Sequence, residues 1–138
     1  NYTTPQLPED KVRYLMGVGK PNDIIEAVYR GVDIFDCVIP TREGRHGIAY
    51  IGSSSINLKN SKFESDLTPL DEGSDYFVSK KYSKSYLNHL IKSNEMMASM
   101  LISLHNIHFY QQFMREIRKS IKSCTFNSFY KKYINYFN

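Results

Sequence analysis

The stretch that decides the fold covers residues 12–38 and reads VRYLMGVGKPNDIIEAVYRGVDIFDCV. Its two apolar segments, residues 12–18 and 32–38, are bounded by turn residues and predict buried strands. Residues 19–23 between them open a helix whose apolar side chains cover one face, and Gly31 ends that helix. Strand, helix and strand in about 25 residues are typical of two parallel strands joined by a crossover helix.

A pair of parallel strands is an incomplete layer. Parallel strands need neighbours on either side, and a covering on both faces, before their apolar side chains are removed from water. The sequence therefore predicts that this sheet is part of a larger one.

The chain changes character after this unit. Residues 41–47 (TREGRHG) predict a basic, glycine-containing loop. Residues 48–51 and 56–58 flank a glycine and three serines and predict a hairpin. Residues 60–81 are polar and rich in turn formers, and predict an irregular excursion.

The last part of the chain is predicted to be helical from Tyr82 onward, with a final helix over residues 126–136. One stripe of apolar positions follows the three-to-four residue spacing of an amphipathic helix. The positions are Met97, Met100, Leu101, Leu104, Ile107, Tyr110, Met114, Ile117 and Ile121. We expect this stripe to face a hydrophobic core and not to form a cofactor site.

Composition places the chain among ordinary globular proteins, with 138 residues of which 41% are hydrophobic and 23% charged. Every apolar run is far shorter than the roughly 20 residues that cross a bilayer, which argues against a membrane span. The formal net charge of +4 leans towards a polyanionic partner without requiring one. Two cysteines, Cys37 and Cys124, are too few for a disulfide framework, so we expect reduced thiols and a cytoplasmic location. The opening residues, NYTTPQLPEDK, lack the pattern of a signal peptide and an initiating methionine, which suits a processed, truncated or trimmed chain.

Asp36 is the residue most typical of a reactive site. It lies at the end of the second predicted strand, where a carboxylate is costly unless it is paired, hydrogen-bonded or facing a cleft. At the carboxyl end of a barrel strand such a residue indicates catalysis. The alternative is an aspartate that caps or braces the following loop.

Two arginines follow on the predicted loop. Arg42 and Arg45 are three residues apart on a segment with two glycines, and this spacing suits contacts with phosphates or base edges. A solvated surface loop explains the same pattern equally well.

Other reactive side chains are explained better by structure than by chemistry. His105 and His108 have the i, i+3 spacing of a helical chelate, but no third and fourth ligand lies near them in sequence. Cys37 lies in an apolar strand with no basic partner evident. We expect two structural histidines and a packed cysteine.

A series of segments, found in order along nearly the whole chain, resembles the bacterial tRNA-guanine transglycosylases (queuine tRNA-ribosyltransferases). They are RYLMGVG at 13–19, FDCVIPTR at 35–42, INLKN at 56–60, PLD at 69–71, YSKSYL at 82–87, HNIHFY at 105–110 and IR at 117–118. Agreement over so many segments in the right order is far more specific than any single motif.

The resemblance implies an α/β fold, a (β/α)8 (TIM) barrel with a metal-bearing insertion and C-terminal helices. A whole barrel takes about 250 residues, so this chain would supply the C-terminal part with the last two strands. Residues 1–47 would hold these final β/α units with the nucleophile and tRNA-contact loops. Residues 48–81 would form the hairpin and a degenerate zinc-type insertion, and residues 82–138 the C-terminal helical region.

The resemblance also implies a reaction. These enzymes exchange guanine at the wobble position of tRNA for queuine or its precursor 7-aminomethyl-7-deazaguanine, through a covalent aspartyl–tRNA intermediate. Asp36 matches the nucleophile, and Met16 matches a residue that lines the base pocket. The positions that match tRNA contacts are Gly17, Val18, Gly19, Lys20, Pro21, Asn22, Asp23, Thr41, Arg42, Glu43, Gly44 and Arg45. Arg42 and Arg45 are the favoured contacts near the wobble base, which must be splayed out of its stack.

The sequence departs from the family at its zinc site. The family binds zinc through Cys-x-Cys-x-x-Cys and a downstream histidine. Here Ser74, Tyr76 and Ser79 stand at the cysteine positions, and only His105 is kept. Hydroxyl groups are poor zinc ligands, so we expect no cofactor, no structural zinc and a looser segment over residues 61–81.

The resemblance also sets the expected partners: the anticodon loop of tRNA, a deazaguanine base and a second copy of the chain in a homo-oligomer, without DNA or membrane. Because the family's other catalytic aspartates lie upstream of the matched residues, we expect the isolated chain to be inactive. Two alternatives stay open, namely a non-catalytic tRNA-binding scaffold subunit and a decayed gene fragment. Retention of Asp36 together with loss of the cysteines argues against the scaffold.

Overall fold

The computed structural model describes residues 3–134 and has a mixed α/β architecture. Its strands are β1 (Tyr14–Met16), β2 (Ile34–Asp36), β3 (Ile48–Ile51) and β4 (Ser54–Asn57), and short 3-10 helices cover Thr4–Gln6 and Ser61–Phe63. Its helices are α1 (Pro21–Tyr29), α2 (Ile39–Arg45), α3 (Phe77–Lys81), α4 (Lys84–Lys92), α5 (Met96–Lys122) and α6 (Phe126–Tyr133).

The chain forms two compact units. The first contains the residues up to Ile39 and those from Met114 onward, and the second is Pro40–Phe113. The division into residues 1–47, 48–81 and 82–138 stays a prediction.

The first unit carries the predicted strand–helix–strand. β1 pairs with β2 in parallel, with Tyr14 opposite Ile34 and Met16 opposite Asp36. Helix α1 connects them. It begins at Pro21, where the missing N–H is not needed. Gly31, shortly after its end, has a φ of +89°, a left-handed conformation that glycine adopts without strain. The prediction of parallel strands with a crossover helix is confirmed.

The prediction that these strands are buried is wrong. Met16 is 71% exposed and Ile34 is 50% exposed, and the flanking Val12 and Val38 are exposed as well. The cause is the width of the sheet, because no further strand joins β1 and β2 within residues 3–134.

Helix α6 packs against α1 through aromatic rings. Tyr29 and Tyr130 stack with ring centroids 4.3 Å apart, and the Tyr130 hydroxyl donates a hydrogen bond to the carboxylate of Glu26. This hydrogen bond is the main cause that lowers the pKa of Glu26 and raises the pKa of Tyr130. The predicted final helix is confirmed as far as Tyr133, and its predicted end at residue 136 lies outside the described residues.

The second unit contains the hairpin. β3 and β4 are antiparallel, with Ile48 opposite Asn57 and Ile51 opposite Ser54. The predicted hairpin is confirmed, but its second strand begins two residues earlier than predicted. Gly52 has a φ of +55°, which allows the chain to reverse within two residues.

Residues 41–45 belong to helix α2, so the prediction of a loop over residues 41–47 is wrong for this part. A Cβ atom on Gly44 would lie only 2.8 Å from the backbone N and Cα of Ser103 on α5. Glycine usually disfavours a helix, but here its missing side chain allows two helices to approach closely. This packing is not visible in the local sequence.

The core of the second unit combines the hairpin with α3, α4, α5 and the segment before α3. Its buried side chains are Ala49, Leu58, Phe63, Leu70, Val78, Leu87, Leu90, Ala98, Leu101 and Ile102. Three of them come from the predicted irregular excursion, which includes a 3-10 helix and α3. These buried side chains anchor the segment that the sequence predicts to be loose.

The apolar stripe predicted on α5 is only partly buried. Its buried members are Leu101, Tyr110 and Ile117. Its exposed members are Met97, Met100, Leu104, Ile107 and Ile121. The buried face is rotated because it includes the polar side chains of His105 and Asn106, which bind backbone groups of the hairpin. Neither α5 nor any other helix in residues 3–134 is long and apolar enough to cross a membrane.

Candidate functional site

Asp36 lies at the carboxyl end of β2, and one of its carboxylate oxygens is held by two donors. The hydroxyl of Tyr14 donates to Oδ1 at 2.8 Å, and the backbone N–H of Gly17 donates to the same atom at 3.2 Å. Oδ2 accepts no hydrogen bond from any residue between 3 and 134. The side chain is exposed. The arrangement fixes the carboxylate while leaving one oxygen open to a ligand.

The two donors suit an ionised carboxylate. The hydrogen bond to Asp36 is the main cause that raises the pKa of Tyr14, so its phenol remains a donor at neutral pH. Gly17 has a φ of +72°, a left-handed conformation that favours glycine, and no atom lies near the position of a Cβ. The β1–α1 turn can therefore direct its N–H at the carboxylate without steric conflict.

Met16 lies next to Asp36 on the neighbouring strand. The two residues are partners in the parallel register, and directly opposed residues project to the same face of a sheet. The exposed Met16 side chain thus borders the carboxylate. The structure brings the predicted nucleophile and the predicted base-pocket residue together.

The turn that follows β1 is shaped by close packing. A Cβ atom on Gly19 would lie 1.8 Å from the Sγ of Cys37, so no larger residue fits without a shift. Cys37 is half-buried, as expected for a packed cysteine. Its position fixes the path of the chain immediately beyond both strand ends.

The residues that match tRNA contacts differ in exposure. Those exposed are Gly17, Lys20, Asp23, Arg42 and Arg45. Those half-buried are Val18, Asn22, Thr41 and Glu43. Those buried are Gly19, Pro21 and Gly44. The exposed set includes all the cationic side chains of the group, which are the ones able to meet phosphates.

Arg42 and Arg45 project from the last turn of α2. Their i, i+3 spacing places them on one side of the helix, and neither forms an ion pair within the part of the chain that the structure describes. The helix ends at Arg45, and Nδ1–H of the next residue, His46, donates to the carbonyl of Arg42 at 2.7 Å. The two guanidinium groups are therefore presented together by an ordered helix end.

A second polar arrangement lies inside the other compact unit. The Ser79 hydroxyl is 2.8 Å from Nδ1 of His105, and Nε2 of His105 is 2.7 Å from the carbonyl oxygen of Tyr50. His105 is 1% exposed and Ser79 is fully buried. Burial lowers the pKa of His105, which favours a neutral imidazole at neutral pH.

Comparison with known proteins identifies the family. The sequence model described as queuine tRNA-ribosyltransferase matches residues 1–138. The chain belongs to the queuine tRNA-ribosyltransferase family. It is 50% identical over 129 residues to the queuine tRNA-ribosyltransferase of Zymomonas mobilis, covering 94% of this chain and 33% of that protein. It is 51% identical over 128 residues to that of Vibrio atlanticus, covering 93% of this chain and 34% of that protein.

A further relative, the queuine tRNA-ribosyltransferase of Francisella tularensis, is 47% identical over 134 residues, covering 97% of this chain and 36% of that protein. The chain thus spans about a third of the length of the curated relatives it matches. The relatives are named for ribosyl transfer with queuine and tRNA, and the chain's place in that activity is a proposal.

The zinc positions expected from the family do not fit a zinc ion here. The Ser74 hydroxyl accepts a hydrogen bond from the backbone N–H of Tyr76 at 3.2 Å, within a local turn. The ring of Tyr76 stacks on His108, with centroids 4.4 Å apart. Residues 3–134 contain no cluster of three or more His, Cys, Asp or Glu that could hold a metal. Hydroxyl groups are poor zinc ligands, and those of Ser74 and Ser79 already take part in hydrogen bonds.

The sequence did not predict Tyr14 and the N–H of Gly17 as partners of Asp36. A signal existed, because Tyr14 and Met16 are two residues apart and so share one face of β1. To predict the contact from this spacing, one must also know that Met16 lies opposite Asp36. That register depends on how β1 and β2 pair in the folded protein.

Proposed function

We propose that the chain is the C-terminal portion of a tRNA-guanine transglycosylase, a glycosyltransferase of queuosine tRNA modification. The enzyme would replace guanine at the anticodon wobble position by queuine or 7-aminomethyl-7-deazaguanine. Family membership supports the class of reaction. The observation that carries the assignment to this chain is the carboxylate of Asp36, held through one oxygen and open at the other.

The exposed parallel sheet supports a larger barrel. β1 and β2 expose large apolar side chains, which is costly for parallel strands. We propose that they are the last two strands of a (β/α)8 barrel whose other strands cover these side chains. In such barrels the reactive residues lie at the carboxyl ends of strands, which is where Asp36 and Met16 lie.

The first chemical step would form a bond between Asp36 and the ribose. Oδ2 attacks C1′ of the wobble nucleoside, the C1′–N9 bond breaks, and guanine leaves with the electron pair. The departing base takes up a proton from an acid that the rest of the enzyme supplies. The transition state resembles an oxocarbenium ion, which a nearby carboxylate stabilises.

The second step would reverse this geometry. N9 of the incoming deazaguanine gives its proton to a base that the rest of the enzyme supplies and attacks C1′ from the side that guanine left. The bond between C1′ and Asp36 breaks, and Asp36 departs as a carboxylate. Tyr14 and the N–H of Gly17 stabilise the negative charge that returns to the carboxyl group. The donors therefore hold the attacking group in the first step and assist its departure in the second.

The remaining residues would bind the two substrates. Met16 borders Asp36 and would pack against the flat face of the base. Arg42 and Arg45 would contact phosphates or base edges of the anticodon loop, because a guanidinium binds such groups through paired N–H donors. The homo-oligomer implied by the family resemblance stays a prediction.

The test uses the complete gene product and an assay for exchange of labelled guanine into tRNA. Asp36→Asn keeps the shape of the side chain but removes the nucleophilic oxygen, and we expect exchange to fall to the background of the assay. Asp10→Asn is the matched control, since Asp10 is exposed and, within residues 3–134, forms an ion pair only with its neighbour Lys11. Unchanged exchange by Asp36→Asn would remove the nucleophile assignment. Salt-dependent tRNA binding without exchange by the unmodified protein would favour the scaffold role.

A further inference from the structure

One buried imidazole joins three elements of the second compact unit. His105 on α5 contacts Ser79 on α3 through Nδ1 at 2.8 Å and the carbonyl of Tyr50 on β3 through Nε2 at 2.7 Å. Tyr50 is also buried. Helix α3 is thereby connected to both the hairpin and the long helix.

The chemistry of the partners assigns the protons. The carbonyl oxygen of Tyr50 can only accept a hydrogen bond, so Nε2 of His105 carries a proton and donates it. Nδ1 of the neutral ring then has a lone pair, which accepts the hydroxyl proton of Ser79. Both ring nitrogens are satisfied by neutral groups, and neither has a lone pair left for a metal ion.

The neighbouring Asn106 completes the connection to the hairpin. Its Oδ1 accepts from the N–H of Tyr50 at 3.0 Å, and its Nδ2 donates to the carbonyls of Ile48 at 2.9 Å and Pro40 at 3.0 Å. Two successive side chains of α5 therefore bind both the N–H and the C=O of Tyr50. These backbone groups lie on the edge of β3 that does not pair with β4. Side chains of α5 bind them in the place where a further strand would otherwise pair.

We infer that Ser79, His105 and the Tyr50 carbonyl form a metal-free clamp that takes the structural place of the family's zinc ion. Ser79 stands at the position of a zinc-binding cysteine, and its hydroxyl bonds directly to the retained histidine. Leu70, before the substituted positions, and Val78, directly before Ser79, are fully buried and add apolar packing. Hydrogen bonds and packing thus hold the segment that coordination bonds hold in a zinc protein.

A metal-free clamp and a zinc-dependent domain respond differently to chelators and to oxidants. In a zinc-dependent domain the free energy of metal binding is part of the free energy of folding, so a chelator destabilises the protein. A clamp of neutral hydrogen bonds is insensitive to chelators. It also contains no thiolate that an oxidant could modify.

The first measurement is the zinc content and the melting temperature of the complete protein, with and without EDTA. We expect no stoichiometric zinc and the same melting temperature in both conditions. About one zinc per chain, lost with EDTA together with a fall in the melting temperature, would overturn the inference.

The second measurement removes one bond of the clamp. Ser79→Ala leaves Nδ1 of a buried histidine without a donor, and we expect the melting temperature to fall by on the order of 5 °C. Ser55→Ala is the matched control, because Ser55 is an exposed serine on β4. Equal melting temperatures of Ser79→Ala and Ser55→Ala would contradict the clamp.

The third measurement restores the family's ligands. The variant with Ser74→Cys, Tyr76→Cys and Ser79→Cys restores cysteine at the three family positions and keeps His105, and we expect it to gain one zinc per chain and a melting temperature that EDTA lowers. A variant that folds but binds no zinc would contradict the claim that the clamp occupies the metal's place. If the triple variant does not fold, the Ser79→Ala comparison still decides the question.

Discussion

The two compact units of the chain differ in how far their side chains are buried and hydrogen-bonded. In Pro40–Phe113 a cluster of apolar side chains forms a buried core, while one face of α5 exposes apolar residues such as Met100. The polar groups inside this unit, such as Asn106 and His105, bind defined partners. In the unit that holds β1 and β2, apolar strand residues such as Met16 and Ile34 are exposed, and Asp36 is held through a single oxygen. The difference teaches that stability and chemistry are concentrated in different parts of the chain. One unit has a buried hydrophobic core of its own, while the sheet of the other exposes apolar side chains, as a surface that binds another structural element does.

The sharpest form of this comparison is one substitution made in each unit. Ile102 is fully buried on α5, so Ile102→Ala should lower the free energy of unfolding by about 2–5 kcal/mol. Ile34 on β2 is half-exposed, so Ile34→Ala should cost less than about 1 kcal/mol in the 138-residue chain. Denaturant unfolding measures both values.

The same pair of variants in the complete gene product tests whether the sheet is covered there. If further barrel strands pack on β1 and β2, the cost of Ile34→Ala should rise towards that of Ile102→Ala. An unchanged, small cost would contradict the proposed barrel.

The next largest effect is expected from the polar interior of the second unit. Asn106→Ala removes the three hydrogen bonds of a fully buried side chain and leaves backbone groups of the hairpin unpaired. We expect a loss of about 3 kcal/mol in the free energy of unfolding. Asn57→Ala, on the exposed hairpin strand, is the control and should cost less than about 1 kcal/mol. Equal losses for the two variants would mean that this unit does not depend on its polar interior.

A smaller effect is expected at the candidate site. Tyr14→Phe keeps the ring and removes one of the two donors to Asp36. In the complete enzyme we expect kcat for base exchange to fall about 10- to 100-fold, with little change in KM for tRNA. Tyr29→Phe is the control, since Tyr29 contacts Tyr130 through its ring. A change in KM alone would indicate that Tyr14 binds substrate and does not position the carboxylate.

Sequence reasoning recovered the parts of the fold that depend on local pattern. The β1–α1–β2 unit and the hairpin follow from apolar segments separated by turn residues. Helix α2 was missed because Gly44 is favoured there by contact with Ser103, which is distant in sequence. The burial of α5 was misjudged because its inner face includes His105 and Asn106, and a pattern of apolar residues cannot identify polar groups that are satisfied inside.

The candidate site was recovered to a similar extent. Asp36 and Met16 were identified from their sequence context and the family resemblance, and the register places them side by side. The donors Tyr14 and Gly17 depend on that register and on a left-handed turn, neither of which the sequence specifies by itself.

The smallest expected effect concerns the contact between α1 and α6. The hydrogen bond from Tyr130, followed by the interaction with Arg30, lowers the pKa of Glu26 in the folded state. Its stabilising contribution is therefore present above the pKa of the unfolded chain and is lost as the pH falls through the lower, folded value. Curves of stability against pH for the wild type and Tyr130→Phe should converge in acid and differ slightly at neutral pH. Parallel curves would show that the tyrosine acts only through ring packing.

The role of Asp36 is tested most directly by trapping the covalent intermediate. The complete enzyme is mixed with tRNA, quenched by denaturation and digested, and the attached ribose is located by mass spectrometry. We predict an ester on the side chain of Asp36 that is absent from Asp36→Asn and that disappears when excess deazaguanine is added before the quench. An adduct on a different carboxylate, or base exchange by the Asp36→Asn enzyme, would contradict the assignment.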